Sequence, residues 1–255
     1  RGGEDGSVQQ ILDLLGIPYT GSRPWPCELA YDKVRAKRAL VAAGVFTPPF
    51  VALSAVAINE FGAGDVLAET VAELGLPVVV KPVHGGSSLG VRIARDEIEL
   101  PRALVSALSW DTHVIVEQHI NGRELSIAVL GTDHPRCLPP VRILPRNADH
   151  FDFDSRYSAG QTDLVCPPED VSETELAEAM RAARAAHDAL DLSGWSRVDI
   201  ILDAEGTPWV LECNTVPGLT ETSLVPRAAA AAGMTITDVL QELLEDAQTQ
   251  SADGS

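Results

Sequence analysis

The stretch SRVDIILDAEGTPWVLECNTVPG (196–218) constrains the fold more than any other part of the chain. It holds two apolar runs around DAEG. Each run alternates at period two and reads as a strand, and a tight turn tipped by Glu205–Gly206 joins them as an antiparallel hairpin. A two-residue turn sets Ala204 opposite Thr207, and counting outward fixes the rest. Asp199 then faces Glu212, and Arg197 faces Asn214. Val198/Cys213, Ile200/Leu211 and Leu202/Trp209 line the opposite, core face. One face of a core hairpin thus gathers two acids, an amide and an arginine. Opposed carboxylates repel unless a cation lies between them, and carboxylate and amide oxygens suit a hard ion such as Mg2+. Spacing alone fits a solvated hairpin face with a chance acidic pair equally well.

The chain has 255 residues, 45% of them hydrophobic, enough for one large domain or two modest ones. No apolar run approaches the ~20 residues of a membrane span. A net charge of −18 argues against nonspecific binding to nucleic acid or to an anionic membrane. A nucleotide site in such a chain needs its own local positive field. The cysteines (Cys27, Cys137, Cys166, Cys213) are scattered, without a CxxC pair, and read as reduced thiols of a cytoplasmic protein.

The opening RGGEDGSVQQILDLLGIPYTGS starts inside a glycine-rich loop, and Ser7 with Gln10 reads as a capping box for a helix over 7–15. Helices are predicted over 30–43, 64–74 and 96–108. LPVVVKP (76–82) is a short buried strand, LGVRIA, THVIVEQHI and RELSIAVLG are further strands, and VRILPR is another. The segment 146–169 has no helical period and reads as a long functional loop. Ser172–Glu175 caps a helix whose apolar stripe holds Leu176, Met180, Ala183, His187 and Leu190, which makes His187 a core histidine. Ile236, Val239, Leu240, Leu243 and Leu244 mark a final helix before a polar tail. The class is α+β, with antiparallel sheets between helices.

Four motifs carry chemistry. In VVVKPVHGGSSLGV (78–91), Lys81 ends a strand before a loop of Gly85, Gly86, Ser87, Ser88 and Gly90. Glycine lets backbone N–H groups approach an anion, the serines add donors, and the lysine adds charge. This is neither a Walker A loop nor a Rossmann fingerprint. In VIVEQHINGREL, Glu117 closes one strand and Glu124 opens the next, either as nucleotide contacts or as solvated acids. FDFDSRYSAG places Arg156 and Tyr157 either in a segment able to close over an anion or in an ordinary surface loop. In PGLTETSLVP, Ser223 and the Leu224 N–H begin a helix, as an anion site or as a plain N-cap.

Taken together and in this order, the motifs resemble the ATP-grasp superfamily and, within it, the D-alanine–D-alanine ligases. RGGEDGSVQQILDLLGIPYTGS, YDKVRAK, VVKPVHGGSSLGV, VEQHINGRELSIAVLG, FDFDSRYSAG and SRVDIILDAEGTPWVLECNTVPGLTETSLVP cover nearly the whole chain. The resemblance implies two α+β subdomains (30–120 and 121–247) whose antiparallel sheets sandwich ATP. A remnant of an N-terminal α/β substrate domain (1–29) precedes them, and a disordered tail (248–255) follows. It implies that Lys33 and Lys81 hold ATP phosphates, with Ser88 in the same loop, and that Glu117 and Glu124 meet adenine and ribose. Asp199, Glu212 and Asn214 resemble ligands of two Mg2+ ions, for which Mn2+ can substitute. Arg197 and the Gly218 N–H resemble oxyanion donors. The resemblance also implies that Ser87 works with Tyr157 near the first substrate, that Glu4 lies beside that substrate, and that Ser223 and Leu224 hold the carboxylate of the second. The implied reaction joins two D-alanines through an acylphosphate in cytoplasmic peptidoglycan precursor synthesis, with a homodimer as the assembly and no nucleic-acid or membrane partner.

The family commonly carries lysine where this loop has Arg156. Arginine keeps the charge but presents a planar fork. Tyr157 is retained, and in the family that this chain resembles a tyrosine there goes with dipeptide rather than depsipeptide formation. The resemblance begins inside the family's first domain, so an early substrate-binding glutamate has no counterpart here. Two alternatives accompany the leading expectation. One is a related ATP-grasp ligase of specialised metabolism with a different substrate pair. The other is a noncatalytic, truncated nucleotide-binding paralogue.

Overall fold

Period-two runs build two antiparallel sheets. The computed structural model describes residues 3–145 and 162–252. The first sheet has the order β1-β4-β2-β3, from β1 (Phe50–Ser54), β2 (Val78–Pro82), β3 (Arg92–Ala94) and β4 (His113–Gln118). The second runs β10-β9-β5-β7-β8, from β5 (Arg123–Leu130), β7 (Val141–Pro145), β8 (Thr162–Val165), β9 (Trp195–Leu202) and β10 (Pro208–Asn214). A short β6 (Arg136–Cys137) pairs with β5. All these pairings are antiparallel, the α+β architecture expected.

Alternation decides which side chains reach the cleft. In the first sheet Val78, Val80, Val114 and Val116 pack under α5 (Ala63–Leu74) and α6 (Glu99–Leu108). Their strand neighbours Val79, Lys81, Ile115 and Glu117 therefore point to the other side. In the second sheet Leu125, Ile127, Val198, Ile200, Leu202 and Val210 pack against α7 (Glu173–Ala189) and α3 (Lys33–Ala42). The reverse face is divided. Ala128, Leu130, Val141 and Trp195 lie under α8 (Leu224–Ala231) and α9 (Ile236–Ala252). Glu124, Ser126 and Asp199 continue that face beyond the helices. The polar residues interrupt core strands where the helical cover stops.

The hairpin reaches its predicted polar pairing by a different route. The turn is Asp203–Thr207, so Leu202 pairs with Pro208, Ile201 with Trp209 and Ile200 with Val210. A bulge at Leu211 then shifts the register by one, and Asp199 pairs with Glu212, Val198 with Cys213 and Arg197 with Asn214. Ala204/Thr207, Ile200/Leu211 and Leu202/Trp209 are thus not the pairs that form. The turn is held by the Asp203 carboxylate, which accepts from Glu205 N (3.0 Å), Thr207 N (2.7 Å) and Trp209 Nε1 (2.7 Å). Trp209 packs on Phe46 instead, with ring centroids 5.6 Å apart.

Other expectations shift for local reasons. The 30–43 helix is two helices, α2 (Pro24–Tyr31) and α3, because extended Asp32 caps α3 by accepting from Val34 N and Arg35 N. Helix α1 (Ser7–Leu15) has Gly6 as its N-cap, at φ 84, where a Cβ would lie 2.4 Å from Pro24 O. Ser7 N donates to Asp5 Oδ1, and the Ser7/Gln10 box does not form. Strand β8 shortens the loop predicted over 146–169, whose residues 146–161 lie outside those described. Helix α4 (Ala55–Phe61) and strand β1 were not anticipated, and α9 continues past 247. The Ser172/Glu175 capping box forms as expected. No helix among the described residues is long and apolar enough to cross a membrane, and all four cysteines are free thiols.

His187 is a fully buried core residue, its Nδ1 2.8 Å from Ser196 Oγ. Burial pulls its pKa down from 6.5 to about 4. The unfolded chain therefore binds a proton that the folded chain rejects. The stability His187 contributes is complete above pH 6.5 and is lost as pH falls through about 4. We predict that His187→Gln flattens the fall in melting temperature between pH 7 and pH 4.5. A slope identical to that of the parent chain would contradict this.

Candidate functional site

The cleft between the sheets has a basic wall and an acidic wall. Lys33, Lys81, Gly85, Gly86 and Ser88 line one side, and Glu124, Asp199, Leu211 and Glu212 line the other. A second hollow continues from it past Glu4, Tyr31 and Asn214, sharing Lys33, Gly85, Gly86 and Glu212. Of the residues singled out from sequence, Lys33, Lys81, Ser88, Glu124, Asp199, Glu212, Glu4 and Asn214 line these two hollows.

The acidic wall is organised around Asp199, which is 3% exposed. Its Oδ1 accepts from Ser126 Oγ (2.7 Å) and Arg197 Nε (3.0 Å). Its Oδ2 accepts from Arg197 Nη2 (2.7 Å) and Asn214 Nδ2 (3.2 Å). The carboxylate therefore ties β5, β9 and β10 together. The Leu211 bulge places both Leu211 and Glu212 on the cleft lining, a use of bulges common beside active sites.

The basic wall starts at Lys33, the first residue of α3, whose Nζ donates to Gly85 O at 2.6 Å. Burial lowers the Lys33 pKa, and the nearby Glu212 opposes that shift. Lys81 donates to Glu117 Oε2 at 2.7 Å. Glu117 is 1% exposed and also lies 3.4 Å from Lys37 Nζ. It enters this structure as the shared partner of two lysines. Lys37 was missed from sequence although it adjoins Ala36 and Leu40 on the buried side of α3. A lysine on such a stripe is the signal that could have found it.

The loop between the lysine strand and β3 is left-handed at Ser87 (φ 53) and Ser88 (φ 55), with Gly90 at φ 74. Gly90 is required by space as well, since a Cβ there would lie 2.5 Å from Trp110 Cδ1. Asp111 anchors the loop's start, accepting from His84 N at 2.8 Å and contacting His84 Nδ1 at 2.8 Å. Ser88 lines the cleft, whereas Ser87 is exposed and not among its lining residues. Glu4 is exposed at the mouth of the second hollow.

At the far end, Ser223 occupies the N-cap position of α8 without capping it through its side chain. Its Oγ lies 2.8 Å from Thr220 Oγ1. A Cβ on Gly218 would lie 2.8 Å from that same Oγ, so glycine permits the close approach. Leu224 is the first helical residue. Arg156 and Tyr157 lie outside the described residues.

Asp199, Glu212 and Asn214 supply oxygen donors on neighbouring, paired positions, a set suited to Mg2+. No cluster of three or more His, Cys, Asp or Glu able to hold a metal occurs among the described residues. The set depends on its amide, and it fits a hard ion and not a soft one.

Comparison with known proteins gives the family. The family model described as D-ala D-ala ligase C-terminus matches residues 40–245. The D-alanine–D-alanine ligase of Synechococcus sp. (strain JA-3-3Ab) is 39% identical over 251 residues, covering 98% of this chain and 75% of that protein. The Moorella thermoacetica enzyme of the same name is 40% identical, covering 95% and 78%. Among solved structures, the Bacillus anthracis D-alanine–D-alanine ligase superposes with a TM-score of 0.83 at 33% identity, over 99% of this chain and 79% of that one. The VanG D-Ala:D-Ser ligase of Enterococcus faecalis gives 0.84 at 31% identity, over 96% and 69%. With its fold, its two-walled cleft and these relatives in agreement, the chain belongs to the D-alanine–D-alanine ligase family.

Proposed function

We propose that this chain joins two D-alanines in a reaction driven by ATP, in peptidoglycan precursor synthesis in the cytoplasm, as a homodimer. The observation that carries the reading is the convergence of Lys33 and Lys81 on one wall with Asp199 and Glu212 on the other. In phosphoryl transfer a protein mainly positions its reactants and offsets charge, and these walls suit a metal-bound triphosphate. Lys33 and Lys81 hold phosphate oxygens, and the Ser88 loop adds donors. Glu124 sits at the cleft for the nucleoside end, with Glu117 behind it. Asp199, Glu212 and Asn214 would hold Mg2+, whose chemistry there is to offset charge on the transferring phosphoryl group.

The γ-phosphoryl moves to the carboxylate of the first D-alanine, releasing ADP and leaving an acylphosphate. The amine of the second D-alanine attacks the carbonyl carbon, and phosphate departs from the tetrahedral intermediate. Arg197 is held by Asp199 through two N–H groups, so its guanidinium plane is fixed before any charge develops. A preorganised donor of this kind supplies about 3 kcal/mol when aimed at the oxyanion. The Gly218 N–H is the second donor. Glu4, Ser87 and Tyr157 attend the first substrate. Ser223 and the Leu224 N–H hold the carboxylate of the second, with Arg156 as a further substrate contact.

A ligase with a different second substrate is the alternative, favoured by the similarity to a D-Ala:D-Ser enzyme. Phosphate release from ATP and Mg2+ by the full protein, with D-alanine against D-serine and other amino acids, separates the readings. D-alanine alone should support release, with dipeptide formed in step. No release with any amino acid would leave the noncatalytic alternative. We further expect Glu212→Gln to cut turnover by at least about a hundredfold, the scale of several kcal/mol of metal-borne stabilisation, with an unchanged melting curve. Near-normal turnover would remove Glu212 from the metal set.

A further inference from the structure

Lys37 has no part in the scheme above, yet it is 1% exposed and sits behind the basic wall. It lies one helical turn after Lys33. Its Nζ donates to Thr47 Oγ1 (2.7 Å) and Pro48 O (3.0 Å) and lies 5.3 Å from the centre of the Phe50 ring. The charged groups it meets are Glu117, 3.4 Å away at Oε1, and, beyond it, Lys81, which donates to Oε2 of the same carboxylate at 2.7 Å. One carboxylate is shared by two ammonium groups, so the cluster carries one net positive charge. Of the two lysines, Lys81 lines the cleft and Lys37 does not.

Removing Lys37 would leave Glu117 to neutralise Lys81, and an anion in the cleft would meet a compensated pair. We propose that Lys37 is a positioning residue for nucleotide binding: it supplies the counter-charge of Glu117 and so leaves the charge of Lys81 available to phosphate. The inference rests on the nucleotide reading of the cleft. Burial pushes Glu117 toward its neutral form, and Lys37, ahead of Lys81, reverses that shift. Burial likewise lowers Lys37 to about 8, with Glu117 the main influence holding it up. Each group keeps the other charged.

A lysine that only tied α3 to Thr47 and Pro48 would have no special bearing on phosphates. The test is therefore the ratio of ATP affinity to adenosine affinity, measured by equilibrium titration of the full chain. Lys37→Met should lower that ratio at least about tenfold, the scale of truncating one partner of a buried charge pair. Lys37→Met combined with Glu117→Gln should restore most of it, because Lys81 is again uncompensated. Glu117→Gln alone should raise the ratio, and this arm decides the matter if the Lys37→Met protein does not fold. A ratio unmoved by Lys37→Met, a double variant as weak as the single one, or a fall in the ratio with Glu117→Gln alone overturns the proposal. A parent chain that binds adenosine and ATP equally poorly overturns the nucleotide reading and this inference with it.

Discussion

The buried Asp199 carboxylate is the interaction on which the rest of the site depends. A buried carboxylate persists only when it is paired and hydrogen-bonded, and here β5, β9 and β10 each supply a donor through Ser126, Arg197 and Asn214. The same bonds that stabilise the charge fix the spacing of three strands. They also set the plane of Arg197 and the position of Asn214. Glu212 adds a second carboxylate directly opposite, beside the Arg197–Asp199 ion pair. Across the cleft, two lysines sharing Glu117 leave a positive surplus. A chain of net charge −18 thereby keeps a local basic wall facing an acidic one.

Much of this was legible in the sequence for a simple reason. Parity along a strand is local, so Arg197, Asp199, Glu212 and Asn214 could be placed on one face by counting. The count succeeded through two offsetting departures. The turn is longer than a two-residue hairpin, because Asp203 accepts three N–H groups and holds the Asp203–Thr207 segment. The Leu211 bulge then restores the register. Neither is encoded as an alternation of hydrophobicity, so Trp209 and Leu211 were assigned to the core and are not in it.

What was not legible came from long-range pairing. Asp32 looked like one more polar residue in a helix. Only the bonds to Val34 N and Arg35 N reveal it as the cap that makes Lys33 a helix start. Glu117 read as a nucleotide contact, and nothing in its neighbours along the chain announced that it would pair with lysines 36 and 80 positions upstream. Ser7 and Gln10 had the letters of a capping box, but Gly6, forced into a left-handed conformation against Pro24, took the cap position. Strand β1 lacks a clear apolar/polar alternation and follows two prolines, which hid it.

Activation of a D-alanine carboxylate by phosphoryl transfer in this cleft is tested most directly by isotope transfer. The full protein is turned over with ATP, Mg2+ and D-alanine carrying 18O in its carboxylate, and the released phosphate is analysed by mass. One 18O atom is expected in the phosphate for each dipeptide formed, because the carboxylate oxygen leaves with the phosphoryl group. Unlabelled phosphate, or label appearing in AMP, would contradict it.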